Sequence, residues 1–420
     1  MITMTLFLQL SFLLSIILLS AKMAGYLSIR IGQPSVLGEL LVGILLGPSL
    51  NNLLNLPFIE HELAETVAKL GELGVLLLMF LAGLELHLGE MRQNIRVAAL
   101  AGLMGVIGPV LLGWGTGMLF RFDQSSALFL GLTLGATSVS ISAQTLIELK
   151  ALRSRVGLSL LGAAVFDDIL IILLLSVFLA LQGGTGSTAG ILLILVRMIL
   201  FLVASVLFGL WALPWIIRRI SHLPVSQGLL TISLVIMLAY GIASEAFGGM
   251  AAITGAFLAG LMLARTPERE RIEVGVHALA YGLFVPVFFV NIGLSINLRE
   301  FQTEALLLTL TITLVAIAGK WLGSGWGAKL GGLSTPEAAQ LGAGMISRGE
   351  VGLIVASVGI QNGLMTDMEF SAIVVMILVT TLITPPILRG LFIREKAKAA
   401  ARAAAMQENE IEKQNQSEAS

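Results

Sequence analysis

About thirteen apolar runs divide this chain of 420 residues, each close to the roughly 20 residues a helix needs to cross the hydrocarbon core of a bilayer. They lie approximately at 5–23, 35–52, 67–88, 95–120, 126–149, 155–181, 188–218, 226–245, 249–265, 277–296, 303–330, 336–361 and 368–392. Such runs have to be helical, because a helix satisfies its own backbone polar groups in lipid. Composition agrees: 56% hydrophobic residues, 12% charged, 46 glycines and a mean hydropathy of +0.95 exclude the ordinary soluble class. The expected fold class is therefore an all-α polytopic membrane protein. The first run has no basic segment ahead of it and a poor cleavage site, so it is expected to stay as a span.

The net charge of -1 says little; the distribution of basic residues says more. Alternate connections carry Lys22 and Arg30, Arg92 and Arg96, Lys150 with Arg153 and Arg155, Arg218 and Arg219, Arg265 with Arg269 and Arg271, and Lys329. The tail adds Arg389, Arg394, Lys396, Lys398, Arg402 and Lys413 to that same side, whereas the opposite loops offer Lys69, Arg121 and Arg299 beside the acids Glu60, Glu62 and Glu65. This places the C-terminus in the cytoplasm and the N-terminus outside, in a membrane expected to be the plasma membrane. Residues 1–394 are expected to form the membrane domain. Residues 395–420 are expected to be a short cytoplasmic tail, beginning as an Ala/Lys/Arg helix continuation and ending in a largely disordered polar stretch.

Few ionisable residues remain at membrane depth: Asp167, Asp168, Lys320, Arg348 and Glu350, with Arg197 and Glu245 nearer segment ends. Asp167 and Asp168 adjoin in AAVFDDILI, a costly placement that usually marks a transport site. Lys320 is the one charge in TLTITLVAIAGKWLGSGWG and needs a counter-ion, for which either aspartate is a candidate. Neighbouring residues on a helix point about 100° apart, so one acid can face the lysine while the other faces a cavity. A buried bridge that only fixes helix packing is the plainer alternative, although it needs one carboxylate rather than two.

Two runs read as interrupted helices. LGLTLGATSVSISAQTLIEL gathers Gly135, Thr137, Ser138, Ser140 and Ser142 at its middle, and LGAGMISRGEVGLIVASVG gathers Gly344, Ser347, Arg348, Gly349, Glu350 and Gly352 at a similar depth. Each lies one span from a charged helix, a correspondence that suggests an inverted repeat with its site at the midplane. Arg348 and Glu350 suit compensation of half-helix dipoles, the base near carboxyl ends and the acid near amino ends. Close packing of small residues is the competing explanation for such spans.

The aspartate pair, the preceding GATSVSISAQTL, the lysine of AIAGKWLG and the motif ISRGEVGLI resemble those of the two-aspartate sodium/proton antiporters, the sodium/hydrogen exchanger family of the cation/proton antiporter superfamily. GELGVLLLMFLAGLEL at 71–86 and LFVPVFFVNIGLSINL at 283–298 extend the resemblance over nearly the whole membrane region. It implies thirteen helices arranged as a core domain moving against a dimerisation domain, and a homodimer. By position it implies that Asp168 binds the cation or protons, that Asp167 pairs with Lys320, that Thr137, Ser138 and Ser140 belong to one crossing helix, and that Arg348 and Glu350 belong to the other. Relatives that expel potassium usually carry a soluble nucleotide-binding domain after the last span. Here about 26 residues follow residue 394, so ligand gating of that kind is not expected.

The implied chemistry is competition: a metal ion binds only the ionised acid, so Na+ and H+ exclude each other at Asp168, which is also where the transported ion would bind. If the core changes its facing only when that site is filled, exchange is obligatory. Hard hydroxyl and carbonyl oxygens favour Na+ or Li+, with K+ the alternative cargo. A second proton released when the Asp167–Lys320 pair rearranges would make transport electrogenic. A carrier of organic anions has less use for adjacent acids, and no repeated filter motif points to a channel. No Walker A, HExxH or GxSxG motif occurs and there is no cysteine, so no enzyme, resident cofactor or thiol chemistry is expected. His61, His87, His222 and His277 are too dispersed for a metal site, and the partners expected are the ions and the bilayer rather than nucleic acid.

Overall fold

A computed structural model describes residues 5–60, 62–84, 94–182, 188–221, 226–295, 299 and 305–418. His61, His87, His222, the ends of the 71–86 and 283–298 motifs and most of the Gly-rich 182–190 stretch therefore lie outside the described residues. The described chain is helical: α1 Leu6–Arg30, α2 Ser35–Leu46, α3 Glu62–Leu84, α4 Ile95–Leu119, α5 Gln124–Gly135, α6 Val139–Glu148, α7 Arg155–Gln182, α8 Thr188–Ser221, α9 Gly228–Ala243, α10 Ala252–Leu263, α11 Arg269–Leu279, α12 Val285–Leu294, α13 Leu306–Leu330, α14 Thr335–Gly344, α15 Glu350–Gln361 and α16 Asp367–Glu418.

Every expected run contains helix. Among the described residues, ten helical segments are long and apolar enough to cross a membrane, counting α5–α6 as one and α11–α12 as one, and α9 together with the π-helical turn that follows it. Ser35–Leu46 and Ala252–Leu263 are apolar but short. The run at 336–361 is split into α14 and α15. Two π-helical turns interrupt the regular helix, Ser244–Gly248 at the end of the 226–245 run and Ala280–Phe284 inside the 277–296 run. The backbone of α16 continues as helix to Glu418, farther than the polar end suggested. Its Ala-rich stretch is a good helix former.

Two groups of helices pack closely within themselves, and a continuous apolar core runs between them. In one, α4 packs along α13 and touches α5 and α7, while α16 packs on α13, α14 and α15. In the other, α3 packs on α10 and α12, and α2 packs on α1 and α12. Both groups are held by close backbone approach at small residues. Gly319, Gly323, Gly327 and Gly331 recur every fourth residue along the α13 face that meets α4. A methyl at Gly323 or Gly327 would strike the carbonyl of Met104 or Leu100. This is the small-residue packing through which helices associate in lipid, where burial of apolar surface offers little drive. The second group repeats the device, with Gly83 against the Phe257 carbonyl and Gly260 against that of Phe80.

Side chains set where the interrupted helices begin. Asp123 caps α5, its carboxylate accepting from Ser125 N (2.9 Å) and Ser126 N (3.1 Å). Ser334 and Glu337 form a capping box at α14, with Pro336 in the first turn. Both half-helices end inside the protein, α5 at extended Ala136 and α14 ahead of Met345–Gly349.

Candidate functional site

The two breaks meet. Ser138 N donates to Ser347 O at 2.9 Å, the Ser347 hydroxyl donates to Ser138 O, and the Ser142 hydroxyl donates to Gly344 O. Ser138 and Ser140 share a hydroxyl contact of 3.0 Å. Unwound backbone from one break thus satisfies that of the other, which resolves the cost of burying non-helical peptide groups. The approach needs glycine at 349, where a Cβ would lie 2.7 Å from Ser138 Oγ.

Arg348 is fully buried, and its guanidinium is held by carbonyls. It donates to Leu134 O (2.7 Å) at the end of α5, to Met345 O (3.4 Å) and Ile346 O past the end of α14, and to Ala316 O (3.2 Å) on α13. A fixed cation therefore sits against the carboxyl ends of both half-helices, where the macrodipole is negative. Thr381 on α16 holds the Arg348 carbonyl from behind. Glu350 opens α15; its side chain lies outside the described residues.

Lys320 Nζ donates to Asp167 Oδ1, and both residues are buried. Gly105 on α4 leaves room for the Ser324 hydroxyl beside this pair: a Cβ there would collide with Ser324 Oγ. Around this pair Thr137 Oγ1, Asp167 Oδ2, Ser324 Oγ and Arg348 Nε are buried with no hydrogen-bond partner among the described residues. Buried polar atoms are rarely left so, which sets this cluster apart from the apolar packing around it.

Asp168 points elsewhere. It is 9% exposed and faces the seam between the two groups, in a narrow cleft shared with Val139 at the start of α6, Met79 on α3, and Ile253, Thr254 and Phe257 on α10. The Thr254 hydroxyl lies 3.5 Å from Asp168 Oδ2. One acid of the pair thus lies inside one group beside a lysine, while its neighbour looks out toward the other group.

Two elements of this arrangement escape the sequence reading. Thr254 is a single hydroxyl in the apolar AITGAFLAGLML, and hydroxyls so placed are common. Glu39, 6% exposed within α2, was detectable as a carboxylate in an apolar run, by the reasoning that isolates Asp167 and Asp168. Near it Glu148, at the end of α6, accepts from Ser35 N (2.8 Å), the Ser35 hydroxyl and Gln144 Nε2 (2.9 Å). Tyr281 donates to Gln144 at 2.7 Å, and Lys22 donates to the Tyr281 carbonyl at 2.9 Å. This chain of bonds ties α6 to α1, α2 and the second π-helical turn. Arg197 instead caps the first such turn, donating to Phe247 O and Ala246 O at 3.0 Å each.

Residues 16–394 match the transmembrane sodium/hydrogen exchanger family model. The chain belongs to that family. Among its relatives, the Na(+)/H(+)-K(+) antiporter GerN of Bacillus cereus is 40% identical over 93% of this chain and 98% of its own length. The Na(+)/H(+) antiporter of Enterococcus hirae is 36% identical over 90% and 96%. The fold matches that of the sodium proton antiporter MjNhaP1 from Methanocaldococcus jannaschii, with a TM-score of 0.64 at 17% identity over 92% of this chain and 97% of that one. Membership in the sodium/hydrogen exchanger family makes this a multi-pass integral membrane protein and a transporter rather than an enzyme.

Proposed function

We propose that the protein exchanges a monovalent cation, Na+ or Li+, for H+ by alternating access, with Asp168 as the site at which cation and proton compete. The carrying observation is the placement of Asp168: a carboxylate at membrane depth, next to the crossed helix breaks and facing the seam between two helical groups. A charge so placed must be compensated before the surfaces around it can slide past each other, because an isolated ion in an apolar seam costs several kcal/mol, roughly, even after relaxation. Either a proton or a cation supplies that compensation, so movement in both states and arrest in the empty one give coupled exchange. Asp167 and Lys320 serve as the neighbouring pair, the Thr137–Ser140 segment lends oxygens, and Arg348 and Glu350 compensate helix ends.

The relative named as a Na(+)/H(+)-K(+) antiporter favours K+ as the second cargo to test. An organic-anion carrier fits less well, since the cationic groups are engaged by Asp167 and by carbonyls rather than facing the cleft. The orientation proposed from the basic loops, in the plasma membrane with the C-terminus in the cytoplasm, and a homodimeric assembly complete the reading. The test is dissipation of a pH gradient by Na+, Li+ or K+ in vesicles containing the purified protein. Exchange is expected for Na+ and lost in Asp168→Asn; full exchange by that variant would remove Asp168 from the mechanism.

A further inference from the structure

The cleft beside Asp168 is short of oxygen. Among the described residues that line it, Asp168 and Thr254 carry the polar side-chain atoms and the rest are hydrocarbon. The separation of 3.5 Å between Thr254 Oγ1 and Asp168 Oδ2 is long for a hydrogen bond between a hydroxyl and a carboxylate. It matches another geometry: two oxygens each about 2.4 Å from a hard cation and at right angles about it are about 3.4 Å apart. We propose that Thr254 is a cation ligand and specificity-determining residue of the exchange site, supplied by the helical group opposite to the one that carries Asp168. The inference rests on Asp168 being the exchange site.

The two substrates make different demands on this pair. A proton needs one oxygen and finds it on the carboxylate. A dehydrated alkali ion needs several, and the seam side offers the Thr254 hydroxyl. The hydroxyl therefore favours the cation over the proton, and the close spacing of the two oxygens favours a small ion over a large one. Thr254 cannot retreat from this position. Its helix is pinned on both sides, by Gly255 against the Tyr240 carbonyl and by Gly260 against that of Phe80, approaches so close that no side chain fits between them. A rigidly held ligand selects by size more sharply than a mobile one.

The experiment measures Na+, Li+ and K+ concentration dependence of exchange at fixed pH in vesicles for the wild type, Thr254→Val, Thr254→Ser and Asp168→Asn. Thr254→Val keeps the side-chain shape and deletes the oxygen. Losing one polar contact to a charge is expected to raise the half-saturating Na+ about tenfold, with Li+ following and K+ affected less, while the maximal rate stays within about twofold. Thr254→Ser is expected to restore Na+ dependence to within about threefold of wild type. A transport-independent readout is the Na+ concentration that raises the unfolding temperature of the detergent-solubilised protein, which should shift in parallel. Unchanged Na+ dependence in Thr254→Val, or a loss of maximal rate that Thr254→Ser does not reverse, would overturn the inference. Asp168→Asn tests the exchange site separately: activity retained in that variant defeats the underlying reading, whatever Thr254 does.

Discussion

Ser138 and Ser347 are bonded to each other twice, backbone amide to carbonyl at 2.9 Å in one direction and hydroxyl to carbonyl in the other, so that each interrupted helix closes the gap in its counterpart. The clasp binds two segments that are 209 positions apart in the chain. Its loss leaves a buried carbonyl short of a partner. Ser347→Ala is expected to destabilise the protein by about 1–2 kcal/mol. The measurement is thermal unfolding in detergent, and a transition unchanged from wild type would show that the hydroxyl is dispensable.

The Asp167–Lys320 pair calls for a two-way comparison. Removing one member strands the other without compensation, so Lys320→Ala is expected to cost about 3–5 kcal/mol. Removing both charges in Lys320→Ala with Asp167→Asn should be milder than the single change, because no uncompensated ion remains. Unfolding of the two variants and the double variant, measured together, decides the matter. If the loss in the double variant equals the sum of the two single losses, the two residues are not coupled.

The same pair bears on voltage. If its rearrangement releases a second proton, exchange by the wild type is driven by an imposed membrane potential, and exchange by the doubly substituted protein responds to the pH gradient alone. Voltage-independent exchange by the wild type would sink this reading.

Arg348 reaches carbonyls on three elements through one planar fork. Lysine keeps the charge but cannot span those acceptors, so Arg348→Lys should recover little of what Arg348→Ala loses. The measurement is folded yield in membranes together with initial exchange rates. Full recovery by lysine would mean that charge alone matters, not the bonding pattern.

At the mouth of α5, outside the membrane, the Asp123 carboxyl is held below its ordinary range, first by the Ser126 hydroxyl and then by backbone N–H groups of Ser126 and Ser125. Because the folded value lies below the unfolded one, this cap contributes fully above the unfolded carboxylate range and fades as pH falls through the lower folded value. Asp123→Ala should lower stability by about 1 kcal/mol at neutral pH, with the difference from wild type shrinking in acid. A difference that does not change with pH would show that the cap is not ionic.

Much of this architecture was written in periodicity and cost. Long apolar runs mark helices because lipid leaves a chain few other options, and Asp167, Asp168, Lys320 and Arg348 stand out because ionised groups are rare at that depth. The Gly, Ser and Thr residues of GATSVS, and Gly344, Ser347 and Gly349 in the second run, mark where α5–α6 and α14–α15 break. Apart from the Asp167–Lys320 pair, what did not show is which helices become neighbours. The nearness of Thr254 to Asp168 spans 86 positions, and the bonding of Ser35 to Glu148 spans 113; neither pair has a local signature. Arg348 carries the same lesson: its charge was conspicuous, but only the crossing supplies the carbonyls that hold it. The stop of α2 at Leu46, by contrast, follows locally from Gly47 and Pro48.

The glycine ladder of α13 has a mechanical consequence. With Gly323 and Gly327 pressed on the Met104 and Leu100 carbonyls, α13 and α4 cannot slip along each other by a fraction of a turn without steric collision. The backbone of Lys320 therefore keeps its register with α4, next to Gly105. Any movement of the helix that carries Lys320 thus takes α4 with it as a single unit.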